Sequence, residues 1–189
     1  WCCASSPTIV MPRLPHGEKS DMSDKRQVIY AGKIIRLTLD TVQLPNGSSA
    51  ELEIVHHPGG AAVVAVDGEN RVCLLRQYRH AAGGWLWELP AGKLDNGEAP
   101  LPCAQRELEE EAGMQAADWQ SLGKIVSSPG VFTEVIHLYL ARALGAVPAR
   151  PEEHEVIEVH WLPWAEALRM AQIDFGIIEG LVIRGGLPV

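Results

Sequence analysis

Between Gly92 and Met114 the chain reads GKLDNGEAPLPCAQRELEEEAGM, and its prolines, glycines and carboxylates leave few conformations open. Pro100 and Pro102 lack a backbone N–H and fit only the first turn of a helix, while Gly113 is the kind of residue that ends one. This bracket predicts a helix of about three turns over residues 99–112. Residues three and four apart are neighbours on a helix, so Glu107, Glu110 and Glu111 share one face. Like charges at that spacing repel, and the macrodipole disfavours anions near a helix C-terminus. A solvated acidic face is one reading of such a run. The other is a site for a hard divalent cation, for which carboxylate oxygens are the preferred ligands.

The rest of the composition bounds the class. With 189 residues, 47 % of them apolar and 21 % charged, the chain can build one domain with a real core. A formal charge of −8 argues against a nucleic-acid-binding surface, which needs a basic stripe. It does not argue against a polyphosphate ligand, because a bound cation inverts the local potential. No apolar run reaches the length of a membrane span, so no membrane partner is expected. Cys2, Cys3, Cys73 and Cys103 show no CxxC spacing and read as reduced thiols of a cytoplasmic protein.

Residues 1–26 mix Ser, Pro, Gly and charge without period and are expected to be a disordered or non-native tail, with Met11 and Met22 as candidate starts. From there, residues 34–44 and 51–56 alternate around Pro45-Asn46-Gly47-Ser48, which predicts a β-hairpin within a region spanning 27–57. Further strands are expected over residues 61–66, 72–77, 85–89, 119–126, 135–141 and 156–161. Helices are expected over 163–173 and 177–183. The fold class is therefore α+β, with residues 58–189 forming the main domain.

The acidic helix also carries a spaced pattern. Gly92 is followed after five residues by Glu98 and after seven more by Arg106-Glu107, then Leu108, Glu110-Glu111, Gly113 and Met114. At every defined position this resembles the signature of the Nudix hydrolases. That resemblance implies an αβα sandwich with a mixed sheet and an N-terminal antiparallel hairpin subdomain. It also implies hydrolysis of a nucleoside diphosphate linked to another moiety, with Mg²⁺ or Mn²⁺ as cofactor. His57-Pro58-Gly59-Gly60, Arg76-Gln77-Tyr78-Arg79, Trp87-Glu88-Leu89-Pro90-Ala91-Gly92 and Ser128-Pro129-Gly130 resemble the ADP-ribose pyrophosphatase branch. Where that branch often has Phe-Ser-Asp-Glu, this chain has Val131-Phe132-Thr133-Glu134.

The resemblance assigns roles position by position. Glu107 and Glu111 are the principal metal ligands, with Glu110 and the Ala91 carbonyl as further ones. Arg106 pairs with Glu98 and fixes the loop on the helix, which places it in the catalytic set. Arg79, Glu88, Glu134 and Pro129 fall to substrate. The general base is expected in the loop Arg150-Pro151-Glu152-Glu153-His154-Glu155, with Glu153 first and Glu155 second. The resembling enzymes are homodimers that exchange N-terminal strands, here residues 28–44. The implied reaction is Mg²⁺-dependent cleavage of ADP-ribose to AMP and ribose 5-phosphate. A GDP- or UDP-hexose pyrophosphatase and a non-catalytic nucleotide-sugar sensor stand as alternatives.

Overall fold

The computed structural model describes residues 25–171. Strands β1 (Lys25–Ala31), β2 (Arg36–Gln43) and β3 (Ser49–His56) form an antiparallel sheet in that order. The β2–β3 turn is set by Asn46, whose Oδ1 accepts from the Ser48 N–H at 3.0 Å and from its hydroxyl at 2.7 Å. Then come β4 (Gly60–Ala65), β5 (Arg71–Arg79), β6 (Gly84–Glu88) and β7 (Ala91–Lys93). Helix α1 (Pro100–Ala112) follows, and after it β8 (Met114–Val126), β9 (Val135–Ala146), β10 (Ile157–Pro163) and α2 (Trp164–Ala171). Two sheets make up this part, one ordered β10-β5-β6 and the other β7-β4-β9-β8. The second is mixed, since β4 runs parallel to β9 and antiparallel to β7.

Every residue of β4 is buried, which marks a strand covered on both faces. Ala61, Val63 and Ala65 join Cys73 and Leu75 against Cys103, Ala104 and Leu108 of α1. Ala62, Val64 and Val66 join Val72, Leu74 and Leu138 on the opposite side, where Ala167 of α2 packs. Helix, sheet and helix therefore stack in the αβα order. Leu108 is fully buried at the centre of its layer, so truncating it to alanine should cost about 2–5 kcal/mol. Met114 packs half-buried on the same layer.

Several elements differ from the sequence expectation. β1 begins at Lys25, two residues inside the segment read as tail, and is clamped to β2 by a fork between Arg26 and Asp40. β7 is a three-residue strand not among those expected from the sequence. β8 starts directly after the helix at Met114 rather than at Trp119, because β9 also pairs with Met114, Gln115, Ala116 and Asp118. The helix expected over 177–183 and the tail up to residue 24 lie outside the described residues. Among the described residues no helix is long and apolar enough to cross a membrane.

Candidate active site

Helix α1 opens on extended Ala99 with Pro100 in its first turn, and ends at Gly113, whose φ of 64° is left-handed. The Gly113 N–H closes onto the carbonyls of Glu109 and Leu108. The next carbonyl, that of Glu110, accepts from the Arg150 N–H at 2.9 Å. That bond ties the root of the acidic loop, residues 150–155, to the C-terminal end of α1.

The buried face of α1 carries Cys103, Ala104, Glu107, Leu108 and Glu111. Two of the carboxylates thus face the protein and not the solvent, which sets aside the solvated-face reading for them. Glu111, only 3 % exposed, accepts one hydrogen bond from the Ala91 N–H at 2.8 Å. Burial, with the charges of Glu107 and Glu155 nearby, pushes its carboxyl up to about 8. Burial raises Glu107 as well, against the opposing pull of Arg106. Gly92 passes so close beneath Glu107 that a Cβ there would overlap the carboxylate. This is a requirement of close approach, and it explains why the acidic helix needs a glycine at that place.

Arg106 organises the rim. Its Nε and Nη2 donate to Glu98 at 3.1 and 2.9 Å, and its Nη2 also reaches the Lys93 carbonyl at 3.2 Å. Its Nη1 donates to Glu107 at 2.6 Å and to Glu110 at 3.1 Å. The guanidinium beside Glu98 holds that carboxyl down at about 2. One cation therefore staples the loop after β7 to the helix and compensates three carboxylates.

The cleft over these groups has a volume of about 410 Å³, within the ~300–1,000 Å³ of small-molecule sites. Ala91, Gly92, Lys93, Glu107 and Glu110 line one part of it. Arg79, Glu152 and Glu155 line another, and His57, Gly60, Glu134 and Ile136 a third. Ile34, from the β1–β2 connection, also reaches it. Arg79 is gripped by Glu88 through bonds of 2.9 and 2.7 Å. Glu88 does not line the cleft; its carboxylate aims the guanidinium. Pro129 does not line it either. Its turn places Val131 and Thr133 alongside β3, with the Val55 N–H donating to the Val131 carbonyl at 2.8 Å.

Within the acidic loop the side chains differ from the order given by sequence. Glu153 is exposed and not on the cleft wall, whereas Glu155 is half-buried on it. The Glu155 carboxylate accepts from the Glu152 N–H at 2.8 Å, which fixes it on the loop. Sequence reasoning also gave no role to His57, Lys93 or Glu152. For His57 the signal was present in the His57-Pro58-Gly59-Gly60 run, which carried the branch resemblance without giving the imidazole a role.

Among the described residues no three carboxylate, imidazole or thiol groups converge closely enough to enclose an ion. Glu107 is turned toward Arg106 and Glu111 toward Ala91. The donor set still suits a hard divalent cation, because buried carboxylates with raised proton affinity are all-oxygen ligands short of positive charge. Among the described residues the free thiols Cys73 and Cys103 are buried and pushed up to about 12, which leaves them inert.

A family model described as NUDIX domain matches residues 56–181. The chain is 40 % identical over 167 residues to the ADP-ribose pyrophosphatase of Mycobacterium tuberculosis (strain ATCC 25618 / H37Rv), covering 86 % of this chain and 80 % of that protein. It is 40 % identical over 147 residues to the methanol dehydrogenase activator of Bacillus methanolicus, covering 77 % of this chain and 80 % of the other. A solved ADP compounds hydrolase superposes with a TM-score of 0.67 at 21 % identity, over 82 % of this chain and 86 % of that one, which shows a shared fold.

Proposed function

The chain belongs to the Nudix family, and from that premise we propose that it hydrolyses the pyrophosphate of ADP-ribose to AMP and ribose 5-phosphate. The observation that carries this reading is the pair Glu107, on the cleft wall beside Gly92, and Glu111, buried on the same helix face, both within electrostatic reach of the loop carboxylate Glu155. Glu107 and Glu111 would hold a divalent ion, Mg²⁺ or Mn²⁺, with Glu110 and the Ala91 carbonyl as further ligands. When bound, such an ion supplies the charge that the phosphates need and favours a hydroxide at neutral pH.

The chain's own residues do the rest. Arg106 keeps Glu107 and Glu110 oriented and holds the loop from Lys93 to Glu98 against α1. Arg79, pre-aligned by Glu88, presents a fork of donors to a phosphate. Glu155 takes the proton of the attacking water; its support is its half-buried place on the cleft wall, and the reading moves to it from Glu153. The water oxygen bonds to one phosphorus as the bridging P–O bond breaks, and the bridging oxygen leaves with the other phosphate. Glu134 faces the outer part of the ligand.

The N-terminal sheet exposes Val28, Ile29, Tyr30, Ile34 and Ile35, an apolar surface that supports a homodimer built through these strands. Two buried free thiols support a reducing, cytoplasmic setting. The test is product analysis with Mg²⁺ and with chelator. Equal amounts of AMP and ribose 5-phosphate, formed only with the ion, are expected; binding of ADP-ribose without turnover would overturn the proposal in favour of a sensor.

A further inference from the structure

Resting on the ADP-ribose reading, we propose that His57 is a positioning residue that sets Glu134 to receive a vicinal diol on the outer sugar. In the mixed sheet Gly60 of β4 stands opposite Lys93 of β7 on one side and Ile136 of β9 on the other. The acidic helix lies over the β7 side, where Gly92 meets Glu107. Glu134 stands just before β9, about two strand spacings or ~10 Å across the sheet. A ligand whose phosphates face Gly92 and whose outer sugar crosses the sheet would meet Glu134.

Glu134 does not sit there alone. Its Oε1 lies 3.1 Å from Nδ1 of His57, and both residues line the cleft. The backbone beside the pair is fixed as well. Thr133 Oγ1 accepts from the His57 N–H at 3.0 Å, and the Thr133 N–H donates to the Val55 carbonyl at 3.0 Å. Nδ1 has a second suitor, the N–H of buried Gly59 at 3.2 Å. One ring nitrogen cannot donate to a carboxylate and accept from an amide at once. Two arrangements follow. In one, Nδ1–H holds Glu134 and the Gly59 N–H goes unpaired. In the other, bare Nδ1 accepts from Gly59 and Glu134 is released. Only the first arrangement orients Glu134, and a ligand whose hydroxyls bond the held carboxylate adds to the stability of that arrangement. A carboxylate with two oxygens suits two adjacent hydroxyls, the chemistry of a ribose-type diol.

The experiment compares kcat/KM for ADP-ribose with that for its analogue lacking the 2-hydroxyl of the distal ribose, in wild type and four variants. Wild type should prefer ADP-ribose by at least about tenfold, the effect of one hydrogen bond to a charged group. His57→Ala should cut that preference to below about threefold. His57→Asn, which keeps a donor near the Nδ1 position, should restore most of it. Glu134→Gln should match His57→Ala, and the double variant should lose no more than either alone. A His57→Ala protein that loses activity equally on both substrates, with the preference intact, would reduce His57 to a structural part and overturn the inference. Turnover of ADP-ribose by wild type with no preference over the analogue would overturn the diol assignment alone. Turnover of neither would refute the proposed function instead.

Discussion

Replacing Glu111 with glutamine should abolish turnover and, at the same time, stabilise the metal-free protein above neutral pH. The carboxyl ordinarily titrates near 4.5, and burial with two neighbouring charges lifts it to about 8 in the fold. A raised folded value means that its contribution to stability is whole below pH 4.5 and is lost as pH rises through about 8. At pH 8 the native state has forfeited roughly 4 kcal/mol on this group, at about 1.4 kcal/mol per pH unit. The glutamine side chain of Glu111→Gln keeps an acceptor for the Ala91 N–H but buries an amide N–H₂ with no partner, at a cost of about 1–3 kcal/mol. The net gain at pH 8 is then about 1–3 kcal/mol, or roughly 2–12 °C in melting temperature for a chain of this size. At pH 5 the sign reverses, because little of the carboxylate penalty is present and the amide cost remains. Calorimetry in chelator at both pH values reads this crossing. Adding Mg²⁺ should raise the wild-type melting point by mass action and leave the variant unmoved. A variant that melts below wild type at pH 8 in chelator would refute the reasoning, as would a variant with near-normal turnover.

Other outcomes follow from the same geometry. Glu155→Gln should lower kcat by about 10²–10⁴-fold with metal affinity nearly unchanged, while Glu153→Gln stays within about threefold of wild type; steady-state kinetics with a metal titration separates the two, and the reverse pattern would return the base to Glu153. Glu98→Gln should weaken metal binding by about 10–100-fold, read by calorimetric titration, because Arg106 loses its anchor on the loop. The Glu98 carboxyl is held down near 2, so its stabilisation is present above its ordinary 4.5 and is lost as pH falls through about 2. Acid unfolding of Glu98→Gln should accordingly begin at higher pH than in wild type. Gly92→Ala drives a methyl into the Glu107 carboxylate and should lower kcat/KM by at least about 10²-fold without removing any ligand.

The parts of the fold that local chemistry decides could be read directly. Pro100 and Gly113 bracket α1 as their backbone limits require, and Asn46-Gly47 turns its hairpin. Arg106 meets Glu98 because the loop between them is short. The parts that pairing decides could not. Met114 to Asp118 has weak strand propensity and becomes strand because β9 supplies a partner. β1 starts on Lys25 and Arg26, which look like tail until Asp40 is placed opposite Arg26. The same limit governs the site. Spacing shows that Glu107 and Glu111 share a face, but only packing shows that this face looks inward. In the acidic loop the sequence puts Glu153 first and Glu155 second and gives Glu152 no role. Once the loop is tied from Arg150 to Glu110 and closed from Glu152 to Glu155, Glu152 and Glu155 line the cleft and Glu153 does not. Glu88 reads as a substrate group in sequence and is found holding Arg79.

The most direct test of the whole account is kcat/KM with Mg²⁺ across ADP-ribose, GDP-mannose, UDP-glucose, NADH and 8-oxo-dGTP. The account predicts that ADP-ribose exceeds each of the others by at least about tenfold. A higher value for another nucleotide sugar would keep the carboxylate chemistry and contradict the substrate; no turnover of any would contradict the central claim.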